Sequence, residues 1–213
     1  WETRPPHTFA LAYDAVKPFL QTDAALETTA GRPAAEIEQR ILDRVLMEAA
    51  VCITTGNGRI RGNYGMHQQP LLTLAQVLRD VDGPVSSDQM VEFVLANPDP
   101  KVTTDMGLRD ALENIVYRDG LPHESLGYNR IWVSQIADLA DDLTEWGHDF
   151  FRHPRFRNLL SWPFDVTVCG KFTPPTGDTG DMFSSGSLLD PRICQLALAH
   201  FDDPRMAWVL AHE

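Results

Sequence analysis

Apolar residues recur at intervals of three and four along most of this chain, the period of an amphipathic helix. Phe9, Ala12, Tyr13, Val16, Phe19 and Leu20 predict a helix over 7–20 with that set as its buried face. Ile37, Ile41, Leu42, Val45, Leu46, Ala49 and Ala50 predict a longer one over 33–54, closed by the helix-ending run Gly56-Asn57-Gly58. Leu71, Leu72, Leu74, Ala75, Val77 and Leu78 place a third over 69–80. Ser86-Ser87-Asp88 caps a fourth that runs to residue 96, and Thr103-Thr104-Asp105 caps a fifth through Leu108, Leu112, Ile115 and Val116. A sixth covers 131–146 with an acidic outer face, and shorter helical patterns follow over 154–160, over 191–201 and from Pro204 onward.

Strand patterning is sparse. Only Phe164-Asp165-Val166-Thr167-Val168-Cys169 alternates as an extended segment does. Between Phe172 and Ser187 runs a loop rich in Gly, Pro, Thr, Asp and Ser, long for a compact domain and therefore a candidate for function or disorder. The expectation is an all-α chain, a single segment over 1–213 built of helical hairpins in an incomplete (α/α) toroid. Such a toroid places alternate loops on one face.

Composition narrows the function classes. The net charge is -12, which argues against nucleic-acid binding, since that depends on clustered Lys and Arg. No apolar run approaches the roughly 18 residues a membrane helix needs. Cys52, Cys169 and Cys194 are too few and too scattered for a disulfide framework or a zinc knuckle, and Cys52 and Cys194 sit in apolar helical runs as core residues do. The chain opens without a Met and ends inside the apolar pattern 206–211, so it reads as a segment of a longer protein.

Against this helical background two polar clusters stand out. The first is Gly62-Asn63-Tyr64-Gly65-Met66-His67-Gln68-Gln69, with Arg59 and Arg61 beside it. If a helix begins near residue 64, Asn63 and His67 lie four apart on one face. There an amide with two donors and an imidazole would grip a carboxylate and handle a proton. The plainer alternative is that Asn63 caps the helix, with Gln68 or Gln69 completing the cap. The second cluster is Asp119-Gly120-Leu121-Pro122-His123-Glu124-Ser125-Leu126-Gly127-Tyr128-Asn129. Tyr128 offers a phenol, a proton donor as it stands and a base where cations favour its ionised form. Its plainer alternative is a ring packed on the core with the hydroxyl satisfied by backbone. Glu124 either orients Tyr128 or His123, or caps a helix. His67, Asp119 and His123 match no standard zinc spacing, and 177–181 lacks the residues of a phosphate loop or an EF-hand. His148 and His153, beside Trp146, Phe150 and Phe151, read as part of a packed aromatic corner.

Taken together in order, the two clusters and the Pro174-Pro175-Thr176-Gly177-Asp178-Thr179-Gly180 loop resemble the heparinase II/III-like polysaccharide lyases over residues 7–213. The run 61–68 resembles the family's Asn-bearing motif and the run 119–128 its catalytic-tyrosine segment. The resemblance implies an (α/α) toroid followed by a β-sandwich, and β-elimination on an anionic, uronate-containing polysaccharide. It implies that Asn63 neutralises the uronate carboxylate, that Tyr128 is the acid and in some members also the base, and that His67 assists. Tyr64, Gln68, Arg61, His123 and Glu124 would line the substrate. Several members carry His directly after the Asn, where this chain has Tyr64. The family's other catalytic His and any structural zinc or calcium belong to later parts of such proteins, so no cofactor is expected in this segment, and its expected location is secreted or periplasmic. Two other readings compete: a glycoside hydrolase on a similar toroid, with Asp119 and Glu124 as its carboxylates, and a helical carbohydrate-binding or scaffold domain without catalysis.

Overall fold

A computed structural model of the chain describes residues 4–20, 22–56, 62–97, 100–101, 103–178 and 188–212. Among these residues the fold is all-α, with isolated bridges at Val116–Pro122 and Val168–Phe172 in place of strands. No helix among them is long and apolar enough to cross a membrane. The chain divides into two compact units, Trp1–Gly107 and Leu108–Glu213.

The first unit holds α1 (Arg4–Leu20), α2 (Ala24–Ala30), α3 (Ala34–Ile41), a π-helical stretch (Leu42–Met47), α4 (Glu48–Thr54), α5 (Gln68–Val77), α6 (Ser87–Leu95) and a 3-10 turn (Thr103–Asp105). Its centre is α5, which packs on α1, α4 and α6. Residues 71, 72, 74 and 75 of α5 are wholly buried, so its apolar character extends nearly all round. Ser86 and Gln89 close α6 with a reciprocal capping box, as the Ser-x-x-Gln spacing predicts.

Three expectations are corrected here. The 33–54 helix is continuous in register, but its middle is wound wide as the π stretch, which turns Leu42, Leu46 and Met47 all inward. On α1 the buried residues are Pro6, Ala10 and Tyr13, while Phe9, Val16 and Phe19 of the expected face are exposed. The small side chains permit close approach to α5, and the Tyr13 hydroxyl is drawn in by a 2.8 Å hydrogen bond to Glu38. Burial and that carboxylate hold the phenol well above its ordinary pKa. Finally, 103–105 does not cap a helix. Asp105 turns inward instead, and Gly107, where a Cβ would collide with the Ala96–Asn97 backbone, starts a separate path.

The second unit holds α7 (Leu108–Asn114), α8 (Leu126–Glu145), a 3-10 turn (Phe150–Arg152), α9 (Pro154–Val166), α10 (Pro191–Leu198) and α11 (Pro204–His212). The expected strand at 164–169 is corrected: α9 continues to Val166. Phe156, Leu159, Leu160, Trp162 and Pro163 are all buried along it, and that helical face outweighs the short alternation beyond. Arg155 of α9 donates to the Leu112 and Glu113 carbonyls at 2.7 and 2.6 Å, closing the C-terminus of α7. Asn158 donates to the Arg118 carbonyl at 2.8 Å. The backbone of Asn158 also lies so close to Gly120 (φ 95°) that any Cβ there would strike it. Thus α9 holds the turn from which the second polar cluster emerges, and α8 begins at residue 126 rather than 131. Phe151 stacks on His200 at 3.5 Å and meets Phe156 edge-on, an aromatic corner that includes neither His148 nor His153 among its ring contacts.

Candidate functional site

The first cluster forms a turn, so Asn63 and His67 do not share a helical face. The Met66 N–H donates to the Asn63 carbonyl at 3.0 Å, and Gly65 at φ 87° occupies the position that a type II turn reserves for glycine. The backbone N–H of Asn63 points to the Met66 sulfur at 3.3 Å. α5 starts only at Gln68, with His67 as its N-cap residue and no side-chain cap. Asn63 is therefore not a helix cap. It is half-buried, and its carboxamide has no partner among the described residues.

Its neighbours have gone inward. Tyr64 is wholly buried. Gln68, also 0% exposed, accepts from the Gly65 N–H at 3.0 Å and donates to the Thr104 and Met106 carbonyls at 2.9 and 2.8 Å. Its amide thus ties the turn to the 103–107 segment. His67 is 4% exposed, with Nδ1 in an ion-pair contact with the Asp105 carboxylate, and neither ring nitrogen makes a hydrogen bond of regular geometry among the described residues. Arg61, expected to line the substrate, lies outside the described residues, as does Arg59.

The second cluster has a similar core. Asn129 is 0% exposed. Its amide donates to the Pro122 and Glu124 carbonyls, both at 2.9 Å, and accepts from the Glu124 N–H at 3.2 Å. This clamp sets the entry to α8. Ser125 is the N-cap residue but makes no side-chain cap bond, and its hydroxyl is buried without a partner among the described residues. Tyr128 sits half-buried in the first turn of α8, and no backbone group among the described residues bonds its hydroxyl. The Glu124 carboxylate, half-buried, bonds to neither Tyr128 nor His123. His123 is exposed and rests edge-on against Trp132 at 5.2 Å. Asp119 accepts from the Leu121 N–H at 3.2 Å, within its own turn.

The third motif comes to the second. Gly177 (φ 57°) lies against Ser125, where a Cβ would stand 3.0 Å from the serine Cβ. Pro174 to Asp178 therefore borders the start of α8, while residues 179–187 lie outside the described residues. No group of three or more His, Cys, Asp or Glu among the described residues is arranged to hold a metal ion.

Two features of this arrangement escaped sequence reasoning. Asp105 reads as a cap in one dimension, and only folding brings it to His67. Asn129 and Gln68 could be counted among the polar residues, but their role as backbone clamps has no sequence signature. No protein-family model matches this chain, and neither a curated protein nor a solved structure does.

Proposed function

We propose that this chain is the toroid portion of a polysaccharide lyase that cleaves an anionic, uronic-acid-containing polymer by β-elimination, secreted or periplasmic where such polymers are met. The observation that carries the reading is the state of Asn63 and Tyr128. Each had a plain structural alternative, a helix cap for Asn63 and a backbone-satisfied core phenol for Tyr128, and among the described residues neither fills it. In both clusters an adjacent amide does the structural holding, leaving Asn63 and Tyr128 half-buried with their carboxamide and hydroxyl unengaged among the described residues. The pairwise packing of α5 with α6 and of α10 with α11 supports the hairpin repeat of a toroid.

The chemistry suits these groups. In β-elimination a base removes the proton at C5, next to the uronate carboxylate. The C5–H electron pair forms the C4=C5 double bond, and the C4–O bond breaks, its oxygen taking a proton as it leaves. Negative charge builds on the carboxylate as C5 loses its proton, and a fixed neutral donor such as Asn63 stabilises that charge more in the transition state than in the ground state. Tyr128 supplies the proton to the leaving oxygen, and as phenolate after one turnover it is suited to take the next C5 proton. His67, buried in the turn, assists only from behind. Tyr64 and Gln68 hold the turn that bears Asn63, and His123 and Glu124, beside Tyr128 in sequence, keep some exposure.

The hydrolase reading draws no support from Asp119, whose carboxylate is engaged in its own turn. The test is an assay of the full-length protein on heparan, chondroitin, alginate and ulvan. The conjugated double bond of an elimination product absorbs in the ultraviolet, and hydrolysis products lack it. We expect rising absorbance on at least one of these polymers. Reducing ends released without absorbance would establish a hydrolase, and no product from any of the four would leave the non-catalytic binding domain.

A further inference from the structure

The Asn63 carboxamide has no partner of its own among the described residues, so its direction is inherited from whatever anchors the 63–67 turn. Three anchors are visible: the buried Tyr64 ring, the Gln68 amide and the contact between His67 and Asp105. The last is unlike the others. Burying a carboxylate is costly, far more so than burying an amide. Gln68 already joins the turn to Thr104 and Met106, on either side of Asp105. Asp105 is itself only 5% exposed, its backbone carbonyl accepts from Asn97 Nδ2 at 2.7 Å, and none of its ion pairs among the described residues involves Lys or Arg. Lys101, the cation whose stem lies near it beside Gly56, sends its ammonium to the Thr55 carbonyl. Among the described residues the imidazole of His67 is thus the ion-pair partner of a buried carboxylate that a simple tie would not require.

A carboxylate only accepts, so the imidazole nitrogen facing it must carry the proton. That nitrogen is Nδ1, which lies against the carboxylate in an ion-pair contact off the line of a regular hydrogen bond, while Nε2 faces no partner among the described residues. We propose that Asp105 is a positioning residue for the Asn63 turn, acting through His67 by holding the imidazole as its Nδ1–H form. The proposal rests on the lyase reading. Asp105 touches no substrate; it fixes the ring that ends the turn bearing Asn63, and small misplacements of a reacting group are enough to cost about a hundredfold in rate.

Two measurements on the full chain decide it. Long-range proton–nitrogen correlation spectra of the wild type read the tautomer of His67 directly, and we expect a proton on Nδ1. Asp105→Asn keeps the side chain's shape but offers an amide that can donate to Nδ1, so the proton should move at least partly to Nε2. A comparable Asp→Asn change beside a catalytic His costs about 10⁴ in kcat through the wrong tautomer. Here, one step further from the substrate, we expect a fall in kcat of about ten- to a hundredfold with KM within about twofold and an unchanged circular-dichroism spectrum. A residue that merely braced the fold would shift the melting transition without the tautomer change and without separating kcat from KM. A proton found on Nε2 in the wild type overturns the proposal whether or not the variant folds. So does an Asp105→Asn protein with the altered tautomer and wild-type kcat. Failure of the wild type to form unsaturated product on any of the polymers sinks the lyase reading, and with it the catalytic consequence drawn here, while the tautomer measurement still separates an oriented pair from a passive one.

Discussion

The two polar turns are built with one device and differ in its reach. In each, a positive-φ glycine sharpens the turn, Gly65 in the first and Gly120 in the second, and a wholly buried amide makes three bonds to backbone. Gln68 reaches across 36 and 38 residues to Thr104 and Met106. Asn129 reaches back only 5 to 7 residues, to Glu124 and Pro122. The first turn is consequently part of the tertiary core, with Tyr64, His67 and Gln68 all buried and Asn63 alone left half-exposed. The second is a local cap on a long helix, and His123, Glu124 and Tyr128 all keep some exposure. The contrast teaches that a buried carboxamide can present a neighbouring functional group either by local geometry or by tying together distant segments. The two arrangements should fail differently.

The largest expected effect tests whether the groups so presented belong to one reaction. Asn63→Ala and Tyr128→Phe should each lower turnover by at least about 10²- to 10³-fold, the usual loss for a transition-state hydrogen-bond donor. The double variant should be little worse than the poorer single one, since residues that act as a unit are strongly non-additive. Ultraviolet product assays on all three proteins measure this. Multiplicative losses would show two independent contributions, and wild-type turnover by Tyr128→Phe would end its role as acid.

Next come the clamps themselves. Gln68→Ala strips partners from one N–H and two carbonyls that are buried or part-buried, and Asn129→Ala does the same, so each should cost about 2–4 kcal/mol in urea unfolding. Hydrogen exchange distinguishes the two. Loss of Gln68 should raise exchange both near Gly65 and across 103–107, whereas loss of Asn129 should confine it to 122–129. Equal, local effects from both substitutions would erase the distinction drawn above.

The smallest effect concerns the far end of α8, which the Asn129 clamp begins. Asp142 is pushed up to about 6, first by burial and then by Asp141, Asp138 and Glu145. A carboxyl raised in the folded state binds more protons there than in the unfolded chain, so this group makes stability fall as pH rises from its ordinary range to about 6. Asp142→Asn should therefore stabilise the protein at pH 7 by about 1 kcal/mol, a figure discounted for its partial exposure. The gain should shrink as pH is lowered below about 6. Urea unfolding of both proteins at several pH values checks this, and a gain independent of pH would assign the effect to packing. α5 carries no charged residue, so no such pH slope is expected from its side chains.

Much of the helical framework was legible in one dimension, because periodic apolar burial is a local pattern. The α6 capping box could be read directly from Ser86 and Gln89. Where periodicity met competition, the reading slipped: the α1 face rotated toward its small residues, and α9 absorbed the short alternation after Pro163. Of the candidate site, the sequence identified the polar residues but could not say which would serve structure. That division depends on burial, and burial depends on which distant backbone groups need partners. Gln68 was claimed by two carbonyls of the 103–107 segment, and Asp105 by an imidazole, so neither could be assigned before the chain folded.

By itself, then, the sequence determined the helical class and the two places where polar chemistry gathers, since hydrophobic period and turn-forming residues act over a few positions. The tertiary structure alone decided that Asn63 and Tyr128 would keep their polar groups unengaged among the described residues while Gln68, Asn129 and the His67–Asp105 pair were drawn inside. A buried backbone carbonyl or N–H must find a partner wherever the fold places one, and that requirement cannot be located from the order of residues along the chain.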